Sequence, residues 1–177
     1  MRLLRNLVLG LVGLVIVLAL AAFALPREVS VARSVTVAAP PAKVFPYVNS
    51  LQKFTEWSPW AALDPKMKVS HEGPTEGVGA KMTWASDVGQ VGTGVQEITE
   101  SVPDERVVSR LVFGGMPPAG AYFDIEPDGE GTLVTWTIEM DMGNNPIGRG
   151  MGLTMDGLVG KDFDAGLAKL KALAEAG

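Results

Sequence analysis

The hydrophobic rhythm of the chain changes three times. It opens with residues 7–25, LVLGLVGLVIVLALAAFAL, nineteen consecutive apolar or glycine residues. Arg2 and Arg5 precede the run, and Pro26, Arg27 and Glu28 end it. As a helix rising ~1.5 Å per residue it spans about 28 Å, close to the ~30 Å hydrocarbon core of a bilayer. A cleavable secretory signal has a shorter apolar region of about 7–15 residues and a small-x-small cleavage site, which Ala22–Ala24 would supply. The length favours an uncleaved membrane anchor over residues 1–28. A cleaved signal, leaving a secreted or periplasmic protein, is the alternative.

From residue 29 the period drops to two. VSVARSVTV (29–37) places Val29, Val31, Val35 and Val37 on one face, interrupted by Arg33, and predicts a half-buried strand. APPAKVFPYVNS (39–50) has prolines at a first turn followed by Val44, Tyr47, Val48 and Leu51, the pattern of a short helix that Pro46 keeps short. LQKFTEW adds another helical turn. Six alternating runs follow: KMKVSHE, GAKMTWAS, VGTGVQEITES, ERVVSRLVF, GAYFDIEP and GTLVTWTIEMD. The links GPTEGVG, DVGQ, VPDE, GGMPP and PDGEG are rich in turn formers, so the runs read as an antiparallel meander. With the first strand the predicted sheet has about seven strands.

The tail moves to a helical period. Ile147, Met151, Met155, Val159, Phe163, Leu167, Leu170 and Ala174 recur at steps of four, with one step of three, which predicts one face of a helix about 28 residues long. Gly150, Gly152, Gly157, Gly160 and Gly166 lie inside it, each costing about 0.5–1 kcal/mol against alanine. They imply either a kink near Gly157–Gly160 or a close approach to the sheet. A curved antiparallel sheet must cover its apolar face, and only this helix is long enough to do so. Residues 29–177 are therefore expected to form one α+β domain, a sheet wrapped around a long C-terminal helix.

Charge narrows the partners. Beyond Arg2 and Arg5 the chain holds 13 basic and 20 acidic residues, a formal charge of −7. An acidic domain lacks the basic stripe that nucleic-acid binding needs and is repelled by an anionic membrane surface. Topology is less sharply marked. Arg2 and Arg5 favour a cytoplasmic N-terminus, but Arg27, Arg33 and Lys43 nearly balance them. The expected location is the cytoplasmic (inner) membrane, single-pass, with the domain on the outer side.

Several strings resemble the START-like, helix-grip superfamily, also called SRPBCC, and within it the bacterial polyketide cyclase/dehydrase and lipid-transport branch in its membrane-anchored form. They are RSVTVAAPPAKVFPYVNSLQKFTEWSPW (33–60), GPTEGVGAKMTW (73–84), VGTGVQEITES (91–101), DGEGTLVTW (128–136), and NPIGRGMGL and F-AGLAKLK in the tail. The resemblance covers nearly all of 29–175. It implies a helix-grip fold with a cavity for apolar molecules between sheet and helix. Some members are enzymes.

Strand alternation groups the side chains expected to face that interior. Met82 and Trp84 share one face, Gly92, Gly94, Gln96 and Ile98 another, then Val107, Ser109, Leu111 and Phe113, then Phe123 and Ile125, then Val134, Trp136, Ile138 and Met140. Met151, Met155 and Phe163 are expected to point inward from the helix. A methionine and aromatic stripe is more often core than pocket, but methionine also suits irregular apolar pockets, as the resemblance implies. Gln96 and Ser109 are the polar exceptions, and an unpartnered buried amide or hydroxyl costs roughly 1–3 kcal/mol. Trp57 and Trp60, either side of a Ser-Pro step in FTEWSPW, are expected to form a rigid lid, one indole inward and the other nearer the rim. The candidate ligand-binding residues are Trp57, Trp60, Met82, Trp84, Gln96, Ser109, Trp136, Met140, Met151 and Met155.

Catalytic chemistry finds little footing. The chain has one histidine and no cysteine, which rules out a histidine-cluster metal site and thiol chemistry. His71, Gln96 and Tyr122 are poor candidates for acid–base work. DIEPDGEG from Asp124 begins like a calcium loop, but Thr135 stands where that loop needs Glu, and the flanks alternate like strands. GQVGTG leads into a strand, so it is no phosphate cradle. No catalytic residue, metal or cofactor is assigned. The expected function is membrane-tethered binding of a hydrophobic small molecule or lipid, with transfer as an extension. A cyclase/dehydrase-type enzyme and a non-catalytic envelope scaffold or interaction domain are the alternatives.

Overall fold

The computed structural model describes residues 2–177. Its elements are α1 (Arg2–Phe23), β1 (Glu28–Val37), α2 (Pro41–Val48), α3 (Leu51–Trp57), α4 (Pro59–Leu63), β2 (Lys68–Glu72), β3 (Lys81–Ala85), β4 (Thr93–Val102), β5 (Arg106–Phe113), β6 (Ala119–Asp128), β7 (Gly131–Asp141) and α5 (Pro146–Ala176). The seven strands form one sheet in the order β1-β7-β6-β5-β4-β3-β2, antiparallel throughout. β2 to β7 are a meander whose last strand, β7, returns to pair with β1, Val31 opposite Ile138 and Val35 opposite Val134. A register shift between Ile98 and Glu100 bulges β4 against β5 and bends the sheet. This is the expected helix-grip.

Local chemistry sets the helix ends. Pro41 starts α2 and Pro146 starts α5, each at a first-turn position where a missing N–H costs nothing. The Asn145 side chain accepts hydrogen bonds from the Ile147 and Gly148 amides at 3.0 and 3.3 Å, capping α5. α5 then runs 31 residues without a break. Its glycines bring it close to the sheet instead of kinking it. A Cβ at Gly152 would collide with Val29, one at Gly160 with the Arg33 guanidinium, and one at Gly166 would press on Pro59 and Trp136 at 3.1 Å. Arg33, the polar break in the β1 pattern, lies against Gly160 and binds Asp156 at 2.8 Å and Asp164 at 3.6 Å.

The core lies between the sheet and the C-terminal half of α5, where Phe163, Leu167, Leu170 and Ala174 are buried. The N-terminal half departs from the expected face. Ile147 is 74% exposed and Met151 53% exposed. The glycines decide this: Gly148 and Gly152 are the positions that approach Met142 and Val29, so the contact face is rotated one residue from Ile147 and Met151. A period of four identifies an apolar stripe, but it does not distinguish that stripe from a neighbouring stripe of glycine on which close packing is tighter.

Candidate cavity between sheet and helix

A cavity of about 320 Å³ lies between the sheet and the middle of α5. β3, β4 and β5 contribute Met82, Trp84, Gln96 and Leu111, and β7 contributes Trp136 and Met140. Met155, Val159 and Phe163 close it from α5, and Trp60 from α4. All the groups that enclose it sit toward one end of the sheet, where β4 begins and where β3, β5 and β7 end. A wider groove of about 770 Å³ lies at the opposite end, between Pro40–Ala42 and the β5 and β6 termini. It is an open surface depression whose lining mixes prolines, Ala42 and Ile125 with Asp104, Glu105, Arg106, Asp124 and Glu126.

The aromatic wall is held in place. Trp84 Nε1 donates to the Val91 carbonyl at 3.2 Å, and its ring meets Phe113 edge-on at 5.8 Å. The Trp84 ring occupies the space above Gly94, where a Cβ would also press on the Val112 carbonyl at 2.8 Å. Gly94 is thus required by the indole. Trp60 meets Trp136 edge-on, centroids 5.7 Å apart. Ser86 Oγ donates to Asp64 Oδ2 at 2.6 Å, tying the end of α4 to the end of β3 beside the cavity. This bond, with the Lys66 amide, holds the Asp64 carboxyl below its ordinary value.

Seven of the expected residues line the cavity: Trp60, Met82, Trp84, Gln96, Trp136, Met140 and Met155. Three do not. Trp57 is fully buried below the wall, its Nε1 donating to the Tyr47 carbonyl at 3.1 Å and its ring packed edge-on against Phe54, Phe123 and Trp136. Ser109 is buried on the inner face farther along β5, opposite Ile98, beyond the cavity. Met151 points away from the sheet, because the glycine stripe beside it makes the contact. The Ser-Pro step separates two short helices, α3 and α4, with Ser58 extended at ψ 128°. That geometry turns one indole into the core and the other to the cavity. Alternation does not single out Met67, Gly89–Val91, Met116 or Leu158, which also line it, whereas Gly92 lines it as its strand face predicts. Gly89, Gln90 and Met116 lie in links without periodicity, Met67 and Val91 lie near the starts of alternating runs ahead of where β2 and β4 begin, and Leu158 lies beside the stripe of four.

Gln96 is the buried amide of the lining, which also includes Ser58, Gln90 and Thr93. Its amide makes no side-chain hydrogen bond with a described residue, and no fully enclosed side-chain nitrogen or oxygen among the described residues lacks a partner. Its polar atoms therefore border the cavity space. No Asp, Glu, His, Lys, Arg or Tyr side chain lines the cavity among the described residues. His71 is exposed on the edge strand β2. Tyr122 is on the outer face of β6 beneath the Arg106 guanidinium at 5.3 Å, and burial, with the Glu139 carboxylate adding, pushes its phenol up. No cluster of potential metal ligands occurs among the described residues.

Residues 28–175 match the family described as polyketide cyclase / dehydrase and lipid transport. The chain belongs to this family, within the SRPBCC superfamily. The helix-grip architecture of the family is that of a hydrophobic-ligand-binding domain. Among solved structures the chain is similar to TTHA0849 from Thermus thermophilus, with 19% identity, TM-score 0.61, and 83% of this chain and 97% of that one covered. It is also similar to MLL2253 from Mesorhizobium loti, at 16% identity and TM-score 0.59 over 83% and 97% of the two chains. DynU16, from the dynemicin biosynthetic locus, aligns at 18% identity and TM-score 0.57 over 82% of this chain and 47% of its own length. Likeness at these identities shows the fold alone. No curated protein sequence matches the chain.

Proposed function

We propose that this protein binds a hydrophobic small molecule or lipid chain in the sheet–helix cavity while α1 tethers it to a membrane. Residues 1–28 are the anchor and 29–177 the binding domain, on the outer side of the cytoplasmic membrane. The observation that carries the reading is the cavity itself: about 320 Å³, walled by methionine and tryptophan and free of titratable side chains among the described residues. Its volume is at the lower end of the ~300–1,000 Å³ range of ligand pockets. Apolar surface moved there from water contributes about 25 cal/mol per Å². The Gln96 amide supplies N–H donors and a carbonyl acceptor for a polar group on an otherwise apolar ligand.

The same lining argues against the cyclase/dehydrase alternative, because a proton-transfer group must stand within hydrogen-bond reach of its substrate. For the tether, α1 is long and apolar enough to cross a membrane, a property that signal sequences share. Native mass spectrometry of the full chain released from detergent, with extraction of its co-purified lipids, tests the binding. We expect a bound apolar compound and a change in tryptophan emission when fatty acid is added to stripped protein. Absence of both would overturn the reading.

A further inference from the structure

We infer that the N-terminal half of α5, together with the end of α1, forms a bilayer-contact surface at the mouth of the cavity. The inference rests on the tethered-binding reading and adds where the cavity meets the membrane.

Three observations converge. First, this half of α5 is apolar on its outer side: Ile147 is 74% exposed, Leu153 66% and Leu158 66%. Isolated exposed apolar residues are ordinary, but several on one helix half form a patch of the kind that marks a contact surface. Second, the patch is fixed to the end of α1. The Arg149 guanidinium donates to the Phe23 carbonyl at 2.7 Å, from the helix terminus whose carbonyls lack intrahelical partners, and stands 5.6 Å over the Phe23 ring. The same side chain holds the Gly143 carbonyl at 2.9 Å. Arg27 pairs with Asp141 at 2.5 Å, and the Met142 amide donates to the Arg27 carbonyl at 2.9 Å. Where α1 leaves the bilayer, α5 begins. Third, β1 starts and β7 ends at this edge of the sheet, which is the edge that encloses the cavity. Leu158 and the exposed Met116 belong to both the cavity lining and the outer surface.

Charge selects the occupant. The domain is strongly acidic, yet residues 142–155 contain no Asp or Glu, their one ionised side chain, Arg149, is spent on α1, and Asp156, the one acid between Leu153 and Leu158, is paired with Arg33 at 2.8 Å. An apolar patch beside a membrane helix, with its one neighbouring acid paired, fits the interfacial region of a bilayer, where exposed Leu, Ile and Met lose water. It does not depend on anionic lipid. A ligand leaving the bilayer would then reach the cavity past Leu158 and Met116 without crossing water.

The chain has no cysteine, so single labels report one place each. In the full-length protein, Ile147→Cys, Leu153→Cys and, as a distant site, Glu130→Cys would carry an environment-sensitive fluorophore. A label within α1 would report its insertion. The probe is a vesicle of phosphatidylcholine brominated on its acyl chains. We expect blue-shifted emission and loss of most of it at 147 and 153, with emission at 130 unchanged. Unquenched labels at 147 and 153 beside a quenched α1 label would overturn the inference, as would failure of α1 to insert. Fatty-acid binding by the same labelled proteins in detergent tests the cavity separately: loss of binding with quenching retained would strike the cavity reading and leave the contact surface standing.

Discussion

The indole of Trp136 lies face to face with the ring of Phe163, centroids 3.8 Å apart and planes 3° from parallel. The pair joins β7 to α5, and both residues also line the cavity. Helix grip and ligand space therefore share one wall. Behind it Phe123 stacks on Trp136 at 5.2 Å, and Trp57 and Phe54 meet the same indole edge-on at 5.3 and 5.9 Å.

Phe163→Ala removes the helix side of that stack from a fully buried position. We expect a loss of about 3–5 kcal/mol, the usual cost of deleting a buried ring. Urea denaturation followed by circular dichroism measures it. A loss below about 1 kcal/mol would mean that α5 is held mainly by its other contacts.

The two lid tryptophans separate into different roles. Trp57→Ala is expected to cost about 3–5 kcal/mol, because it empties a fully buried site and leaves the Tyr47 carbonyl without its indole partner. Trp60 is half-buried at the cavity wall, so Trp60→Ala should cost less stability and more ligand response. Denaturation and fatty-acid titration of both variants decide it. Equal stability losses with unchanged ligand response would refute the division.

The fold was legible because each element announced its own period: alternation in β1 to β7, steps of four from Met155 to Leu167, and turn formers between. The strand face was legible for the same reason, and Met82, Trp84, Gln96, Trp136 and Met140 all line the cavity as alternation predicts. Depth along a strand was not legible. Ser109 shares its face with Leu111 but lies beyond the cavity, because alternation gives the face and not the distance from the mouth. Helix phase was lost where glycine replaced side chains at the contact, as at Gly148 and Gly152. Met116 reaches the cavity from a link that no period encodes, and Met67 from the turn before β2, ahead of where its alternating run becomes strand.

Two glycines of α5 should respond oppositely to alanine. Gly157 has open space around a would-be Cβ, so Gly157→Ala gains helix propensity and is expected to stabilise by about 0.4–1 kcal/mol. At Gly166 the Cβ would stand 3.1 Å from both the Trp136 ring and Pro59, two rigid neighbours. Overpacking costs about 1–3 kcal/mol, which exceeds the propensity gain. Thermal unfolding of both variants checks the signs. Stabilisation by Gly166→Ala would show that helix and sheet can separate locally at little cost.

The Arg27–Asp141 pair gives a pH signature at the junction with α1. The Arg27 guanidinium, with the Gly143 amide, holds the Asp141 carboxyl down at about 2, against its ordinary 3.8. A depressed folded-state value contributes stability above the ordinary value and loses it as pH falls through the folded value. Asp141→Asn keeps an acceptor for the Gly143 amide but not the charge. The variant should be slightly less stable than the parent at neutral pH. The difference should shrink as pH falls from about 4 towards 2, and added salt should weaken it because the pair is exposed. Melting curves across that range test the window. A difference independent of pH would mean that packing, not charge, holds the junction.

Gln96→Leu sets stability against recognition. The amide borders the cavity without a side-chain hydrogen bond to a described residue, so an apolar side chain of similar size should leave stability unchanged or raise it by about 1 kcal/mol. A ligand that hydrogen-bonds the amide loses that bond in the variant. We therefore expect fatty-acid or fatty-alcohol affinity to fall about 5- to 10-fold, the equivalent of ~1–1.4 kcal/mol, while a hydrocarbon of the same length binds as well or better. Competition against a fluorescent fatty-acid analogue compares the three ligands. If the variant lowers affinity for all of them equally, Gln96 shapes the cavity without reading a polar group. If it lowers none, the polar end of the ligand lies outside the cavity, toward its mouth.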